Sequence, residues 1–402
     1  MIEVIGVGAD GQLDDHATAA LDAADAVVSS PRLLALLPAR GSATRHPWPT
    51  PLLAGLRTLF ADHESRHIVV LATGDPLQSG IATTLIREFG RAGVIVRPAV
   101  GSVALARARL GWSAEQTEVV SLLTSPPAAL RRHLTPGRRV LLLSPDAETP
   151  GLVADELVAS GWPDASMTVL ADLGTDHEVV TTGIADSWDA PPGSPLNIVA
   201  FELPLVGPAL GTSPGLPDAL FDNDGQLTKW ELRAIALASL RPMPGELLWD
   251  LGAGAGSIGI EWALQHPRNT TIAVERDAAR AARITANALN VGAVNVRVRR
   301  GASSEIIADL PDPDAIFVGG GFTADLLDEC FARLRPGGRL VAHTVTLDSE
   351  SILIHARARF GGDLRRISVE RAEPLGRYLS WTPARAVTHW ATTKQVEKSV
   401  SH

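Results

Sequence analysis

Residues 247–265 read LLWDLGAGAGSIGIEWALQ: an apolar run, an alternation of glycine and alanine, then a helical pattern. A strand that runs straight into a glycine turn and a helix buries its apolar surface in a layered α/β sheet, which constrains this half of the chain more than any other feature. Gly252, Gly254 and Gly256 permit a sharp turn and a close approach of backbone to ligand, and the free N–H groups of the following helix face what binds there. A dinucleotide fingerprint would have its third glycine at position 257, which is Ser257, so the rhythm is G-x-G-x-G. Nineteen residues past Gly256 the next strand, TIAVERD, reaches Glu275, whose carboxylate suits the two hydroxyls of an adenosine ribose. Nicotinamide enzymes also carry an acid there, so Glu275 alone leaves the cofactor open.

At 402 residues the chain is long enough for two domains, each with its own core. Short apolar runs alternate with helical patterns from the start (IEVIGVG, DAVVSS, HIVVLATGDP, GVIVRPAV, TEVVSLL, RRVLLLSPD, SMTVLADLG, NIVAFELP). The alternation resumes with ELLWDLG, TTIAVERD, VRVRRG, DAIFVGGGF and GGRLVAHTV, so both halves are expected to be α/β. Between them LPLVGPALGTSPGLP is dense in Pro and Gly. The expected domains are therefore 1–205 and 217–402, joined by a linker at 206–216.

The 36 Lys and Arg fall short of the 45 Asp and Glu, a formal net charge of -9, which excludes the broad basic footprint of a nucleic-acid binder. No apolar stretch approaches the ~20 residues that span a bilayer and no basic leader opens the chain, so a cytoplasmic protein without a membrane partner is expected. Cys330 is the single cysteine, which excludes an internal disulfide and a thiolate-rich metal site; in LLDECFARL it reads as a buried apolar side chain.

Gly6, Gly8 and Gly11 spell G-x-G-x-x-G after the first apolar run. For a dinucleotide loop the next strand should end in Asp or Glu, but DAVVSSPRLL ends its apolar run at Ser29 and Ser30. The ribose anchor is missing. The chain continues with LATGDPLQSGIATTLI, in which Thr73-Gly74-Asp75-Pro76 leads to Ser79-Gly80, then with VRPAVGSVALARARLGW, TEVVSL and LADLGTDHEVV. In that order, over some 200 residues, these segments resemble the tetrapyrrole methylase family, which begins with a strand and glycine loop and carries a Gly-Asp-Pro loop. The C-terminal G-x-G-x-G loop, DPDAIFVGGG, and the helix running into Pro-Gly-Gly in RLRPGGRLVAHTV are similar to class I S-adenosylmethionine-dependent methyltransferases. Joined in this order, the halves resemble the two-domain decarboxylating precorrin methyltransferases of cobalamin biosynthesis.

That resemblance implies a tetrapyrrole methylase-like α/β domain followed by a Rossmann-like class I domain, one S-adenosylmethionine per domain, a precorrin substrate and a homo-oligomer. It implies methylation at carbons 5 and 15 and loss of carbon dioxide from the ring C acetate, carbon 5 falling to the N-terminal domain and the rest to the C-terminal one. Cofactor contacts are implied at Gly8, Gly74, Asp75, Pro76, Gly80 and Ile81, and at Thr228, Gly252, Ala253, Gly254, Ala255, Gly256, Glu275, Arg276, Ala302 and Gly319. Lys229 and Arg233, in the family's entry motif ahead of the loop, are the candidates for gripping the macrocycle's carboxylates. No acid, base or metal ligand is assigned. The chain departs from the family pattern at Gly101-Ser102, at Leu123 where relatives often have His, and at His343 in place of Asn.

Two further motifs lack their context. HESRH at 63–67 matches H-E-x-x-H, but zinc needs both histidines on one face of a continuing helix, and the strand IVVLATG begins at once. DNDGQLTKWE has the spacing of a calcium loop with Leu220 at the first ligand position. Arg297, Arg299 and Arg300 alternate as on an ordinary strand and are expected in solvent. The alternatives are a methyltransferase for another tetrapyrrole position or with one working domain, a cofactor-binding sensor without turnover, and a nicotinamide oxidoreductase.

Overall fold

The computed structural model describes residues 1–8, 11–37, 42–211 and 213–396. The chain divides into two compact units, Met1–Pro127 with Thr135–Pro208, and Ala128–Leu134 with the chain from Ala209 onward.

The first unit opens with β1 (Ile2–Val7), α1 (Asp15–Asp22), β2 (Ala26–Ser29), α2 (Pro31–Leu36), β3 (Thr44–Pro47), α3 (Leu52–Leu59), β4 (Ile68–Thr73), α4 (Ile81–Phe89), β5 (Val94–Arg97) and α5 (Ser102–Leu110). The strands form a parallel sheet in the order β3-β2-β4-β1-β5. Parallel sheets are covered on both faces, which is why β1, β2 and β4 read as unbroken apolar runs. Helix starts are set locally: Asp14 Oδ1 accepts from Ala17 N at 2.7 Å, and Ser30 Oγ accepts from Leu33 N at 3.3 Å with Pro31 opening α2.

The unit continues with β6 (Thr117–Ser121), β7 (Arg139–Leu143), α6 (Thr149–Ala159), β8 (Ser166–Ala171), β9 (Val179–Ile184) and β10 (Asn197–Glu202). These strands build a second, mixed sheet, β6-β7-β10-β8-β9, in which only β6 and β7 run parallel. Against this second sheet α5 contributes Val103 and Ala106 to a core with Leu141, Leu170, Ile198 and Ala200.

The first of the opening glycines, Gly6, has a packing role in this fold. A Cβ on Gly6 would lie 2.1 Å from Gly74 O and 2.5 Å from Ala99 N, so the loops after β4 and β5 close over the end of β1 only because it has no side chain.

The second unit runs α7 (Trp230–Leu240), β11 (Leu247–Leu251), α8 (Ser257–Gln265), β12 (Thr270–Glu275), α9 (Ala278–Asn290), β13 (Val296–Arg300), α10 (Ser303–Ile306), β14 (Ala315–Val318), α11 (Ala324–Arg333), β15 (Arg339–Thr344), α12 (Leu347–Phe360), β16 (Asp363–Ile367), β17 (Glu370–Leu375), β18 (Tyr378–Pro383) and β19 (Val387–Thr393). The main sheet has the order β13-β12-β11-β14-β15-β19-β16, and β17 and β18 form a separate hairpin. The five strands from β13 to β15 are parallel, whereas β19 lies antiparallel to both β15 and β16. In a dinucleotide-binding sheet the sixth strand would continue parallel. The inserted β19 separates this sheet from that class.

Helices cover both faces. Leu326, Leu327 and Cys330 of α11 and Leu353 of α12 pack on Trp249, Leu251 and Val318; on the other face Leu237 of α7 and Ile258 and Trp262 of α8 pack on Leu248, Phe317 and Val341. Cys330 is buried, as its helical pattern implied. Part of the expected linker is docked rather than free. The N–H groups of Gly215 and Leu216 donate to the Glu261 carboxylate at 2.6 and 3.0 Å, and Leu216 joins a core with Ile260 and Val291.

Candidate functional site

In each unit the parallel strands end at one edge of the sheet, the edge at which open α/β sheets bind ligands. In the first unit, a cavity of about 300 Å³ lies where that edge meets the second sheet of the same unit. Thr73, Asp75, Gln78, Ser79, Gly101 and Ser102 line it from one side, and Leu143, Ser144, Leu170, Asp172 and Asn197 from the other. Asp75 Oδ1 accepts from Leu77 N at 2.9 Å, which shapes the Gly-Asp-Pro loop. Ser79 and Asp172 hold the left-handed backbone, at φ +53° and +48°; for residues with a side chain this conformation is uncommon and gathers at functional loops. The loop after Asp172 is tied down by Glu178, which accepts from Gly174 N at 2.8 Å and from Arg109 Nε and Nη2 at 2.5 and 2.9 Å.

Of the residues named from sequence, Asp75 lines this cavity and Gly74 and Pro76 are buried beside it in the same loop. Gly8 stands at the end of β1, Gly80 precedes α4, and Ile81 packs against the core beneath; none of the three is among the lining residues. All three departures in this domain, Gly101, Ser102 and Leu123, do line it. The wall from the second sheet was missed, because nothing local in LLLSPD or PLNIVAF marks those strands as facing the Gly-Asp-Pro loop.

In the second unit β11 lies between β12 and β14, so the chain leaves it at the point where strand order reverses. The N–H groups of Gly252 and Ala253 donate to Val274 O at 3.0 and 3.1 Å, wrapping the loop over the end of β12. Glu275 is 6% exposed and accepts from Gly254 N at 2.9 Å and Asp277 N at 3.0 Å. Two backbone donors thus orient a carboxylate that retains acceptor positions for ribose hydroxyls. Gly301 N donates to Glu275 O and Gly319 N to Leu251 O, at 3.1 and 2.9 Å. The fold therefore brings Gly252, Gly254, Glu275, Ala302 and Gly319 together at four adjacent strand ends.

Gly256 is required by conformation and space: φ is +78° and a Cβ would lie 2.6 Å from Ile284 Cγ2. Beneath the loop, burial pushes the Asp250 carboxyl up to about 7 against the hydrogen bond it accepts from Gly259 N at 2.9 Å. Gln226 O lies 3.6 Å from where a Cβ on Gly254 would be, so the segment leading to partly buried Thr228 passes beside the loop. Arg276 is exposed beyond Glu275, and Ala253 is partly buried. Ala255 corrects the expectation in part, because its side chain packs with Leu227 and Ile260 and leaves only backbone for a ligand.

Arg233 also corrects the expectation. Its side chain is fully buried; Nε donates to Glu261 Oε1 at 2.7 Å, Nη1 to Asp218 Oδ1 at 2.7 Å and to Thr228 O at 2.5 Å, and Nη2 to Leu216 O. A guanidinium so enclosed fastens the 215–228 segment to α7 and α8 and cannot reach a macrocycle. Lys229 is exposed, with Nζ 3.5 Å from Asp218 Oδ2.

The remaining motifs also resolve locally. In HESRH, His63 contacts Phe60 O at 2.9 Å and His67 contacts Glu3 Oε2 at 3.2 Å, in turns that precede β4. Asp222 and Asp224 pair with Arg283 and Arg280 of α9 at 3.0 and 2.7 Å. Arg297, Arg299 and Arg300 are exposed on the edge strand β13.

His343, the departure on β15, is buried with Nε2 2.8 Å from Nδ1 of His389, whose Nε2 lies 3.2 Å from Ser239 Oγ. Ser239 donates to Ile235 O at 3.0 Å, so the chain runs in one direction, from His343 to His389 to Ser239. Burial and the neighbouring imidazole push His343 down to about 3, so the pair is neutral.

The tetrapyrrole (corrin/porphyrin) methylase family matches residues 3–187, and the precorrin methyltransferase domain matches residues 219–394. A precorrin-6Y C(5,15)-methyltransferase (decarboxylating) from Sinorhizobium is 42% identical over 398 residues, covering 98% of this chain and 96% of its own. The chain belongs to this family. The Mycobacterium tuberculosis member is likewise 42% identical, over 400 residues that cover 98% of this chain and all of that one. A Salmonella typhimurium cobalt-precorrin-6B C(15)-methyltransferase (decarboxylating) is 33% identical over 156 residues, 37% of this chain and 80% of its own. The family joins the two architectures seen here, and both of its halves are methyltransferase folds.

Proposed function

We propose that this chain methylates precorrin-6Y at carbons 5 and 15 and decarboxylates the ring C acetate, using one S-adenosylmethionine site in each domain. The observation that carries the reading is that each unit presents the edge at which open α/β sheets bind ligands, in a chain aligned with family members over 98% of its residues. Domains are proposed at 1–205 and 217–402, with the join at 206–216. Carbon 5 is assigned to the first domain, and carbon 15 with decarboxylation to the second. The match of shorter C(15)-methyltransferases to 37% and 44% of the chain, a single domain's length, supports a one-domain seat for the latter.

The cofactor, when bound, supplies a methyl group already activated on a sulfonium. The protein's task is orientation and exclusion of water rather than acid–base activation. In the second domain Glu275 would accept the ribose hydroxyls, Gly252 to Gly256 would let backbone approach the ligand, and Asp250 holds the start of α8 under the loop. In the first domain the Gly74-Asp75-Pro76 loop would hold the polar end of the cofactor, and the Leu143 and Leu170 wall its apolar surface. Electrons left by carbon dioxide would be taken up by the substrate's own conjugated system.

A soluble cytoplasmic homo-oligomer is part of the reading. Among the described residues no helix is long and apolar enough to cross a membrane, and the β17–β18 hairpin exposes Leu375, Tyr378, Leu379 and Trp381, a patch of the kind subunits cover. The test is mass spectrometry of the tetrapyrrole after incubation with the pure protein and S-adenosylmethionine. Two methyl gains and one loss of carbon dioxide lower the mass by about 16 units. A gain of about 14 alone would refute two working sites.

A further inference from the structure

Arg32 was not singled out by any sequence motif, yet it lines the cavity of the first unit. It stands in the first turn of α2, at the end of β2, and β2 pairs directly with β4. Its Nη2 donates to Thr73 Oγ1 at 3.0 Å, which lays the side chain along the end of β4 toward the Gly74-Asp75 loop. Among the lining residues it is the sole cation, and among the described residues its guanidinium has no ion-pair partner. Other arginines of this unit, Arg109, Arg138 and Arg139, are each paired with a glutamate. Arg32 is exposed at the rim, while Val103, Leu170 and Ile198 form the buried floor.

We infer that Arg32 is a carboxylate anchor at the mouth of this cavity and that it grips a side-chain carboxylate of the tetrapyrrole. The inference rests on the cavity being a methyl-transfer site. A guanidinium offers five N–H donors in a planar fork, and the one bond to Thr73 leaves the fork open for bidentate pairing. A polycarboxylate macrocycle is too broad for a space of about 300 Å³ and must present its reacting carbon from the mouth, with its acidic side arms spread over the rim. The other carboxylate available is that of the cofactor's amino-acid end. The rim position favours the macrocycle, because the smaller cofactor can enter the cavity to its apolar floor, away from the exposed guanidinium.

The test is hydrogen–deuterium exchange of the full-length chain, read on peptides covering residues 68–85 and titrated with S-adenosylhomocysteine and then with precorrin-6Y. In the wild type the first ligand slows exchange there and the second slows it further. Arg32→Gln is expected to need about tenfold more precorrin-6Y for half-maximal protection, with the S-adenosylhomocysteine midpoint unchanged. Arg32→Lys, which keeps the charge without the fork, is expected between the two. An unchanged precorrin midpoint in Arg32→Gln would overturn the assignment, and so would a shift confined to S-adenosylhomocysteine, which would give the carboxylate to the cofactor. If S-adenosylhomocysteine protects nothing in wild-type 68–85, the reading of the site falls and the anchor with it.

Discussion

Replacing Arg233 by Met separates a structural from a substrate-binding role for the entry segment. The guanidinium is fully buried and bonds two carboxylates and two carbonyls, and it stacks over Phe221 at 4.8 Å. Methionine fills much of the volume but leaves the Glu261 carboxylate, itself 1% exposed, without a cation. Removing one partner of a buried ion pair costs about 3–5 kcal/mol. Burial raises the Glu261 carboxyl, opposed by N–H donors of Gly215 and Leu216 and by Arg233, so the variant is expected to take up a proton on Glu261 and soften the loss. A cost of about 4 kcal/mol corresponds to a fall in the melting temperature of the second unit of roughly 10 °C. Unfolding followed by hydrogen exchange in peptides from residues 215–265 would measure it without mixing in the first unit. A cost under about 1 kcal/mol, or a loss of tetrapyrrole affinity at full stability, would refute the argument and restore the carboxylate-gripping role.

Gly256→Val should abolish ligand protection of the 250–276 region while leaving 68–85 responsive, because the added carbon meets Ile284 at 2.6 Å in a left-handed backbone; retained protection at both would contradict it. Burial raises the Glu3 carboxyl, but hydrogen bonds from His16, Arg97 and His67 outweigh this and bring it down to about 2. Its contribution is thus fully present above the ordinary carboxylate value of 4.5 and is lost as pH falls toward 2. Glu3→Gln should cost the first unit about 2–3 kcal/mol at pH 7 and nearly nothing at pH 2, and an equal loss at both would count against the linkage. Burial pushes the Cys330 thiol up to about 12, so an aromatic disulfide reagent should react with it only after unfolding; stoichiometric reaction of the native protein would place it elsewhere.

The G-x-G-x-G loop of the second unit was legible because its parts are contiguous. Strand, glycines and helix N-terminus follow one another in twenty residues, and Glu275 ends the very next strand. Tertiary packing cannot rearrange pieces that the backbone itself holds together. Gly6 was legible as special but not in its role, since the clash that excludes a side chain comes from Gly74 and Ala99, far along the chain. Arg233 was misread for a related reason: in sequence it is a cation beside a cofactor motif, and only the approach of Glu261 and Asp218 shows that it is enclosed.

By itself, then, the sequence determined the α/β class of both halves, the Gly-Asp-Pro and G-x-G-x-G loops, and the acid that faces the second, all of them local patterns of period, turn and cap. The strand order, with β19 inserted against β15, was decided only by the tertiary structure, because long-range pairing leaves no mark on the residues that pair. So were the wall that the second sheet gives the first cavity and the placing of Arg32 beside Thr73, forty-one residues away. Whether a charged side chain becomes a pillar or a hand is set by what the fold packs around it.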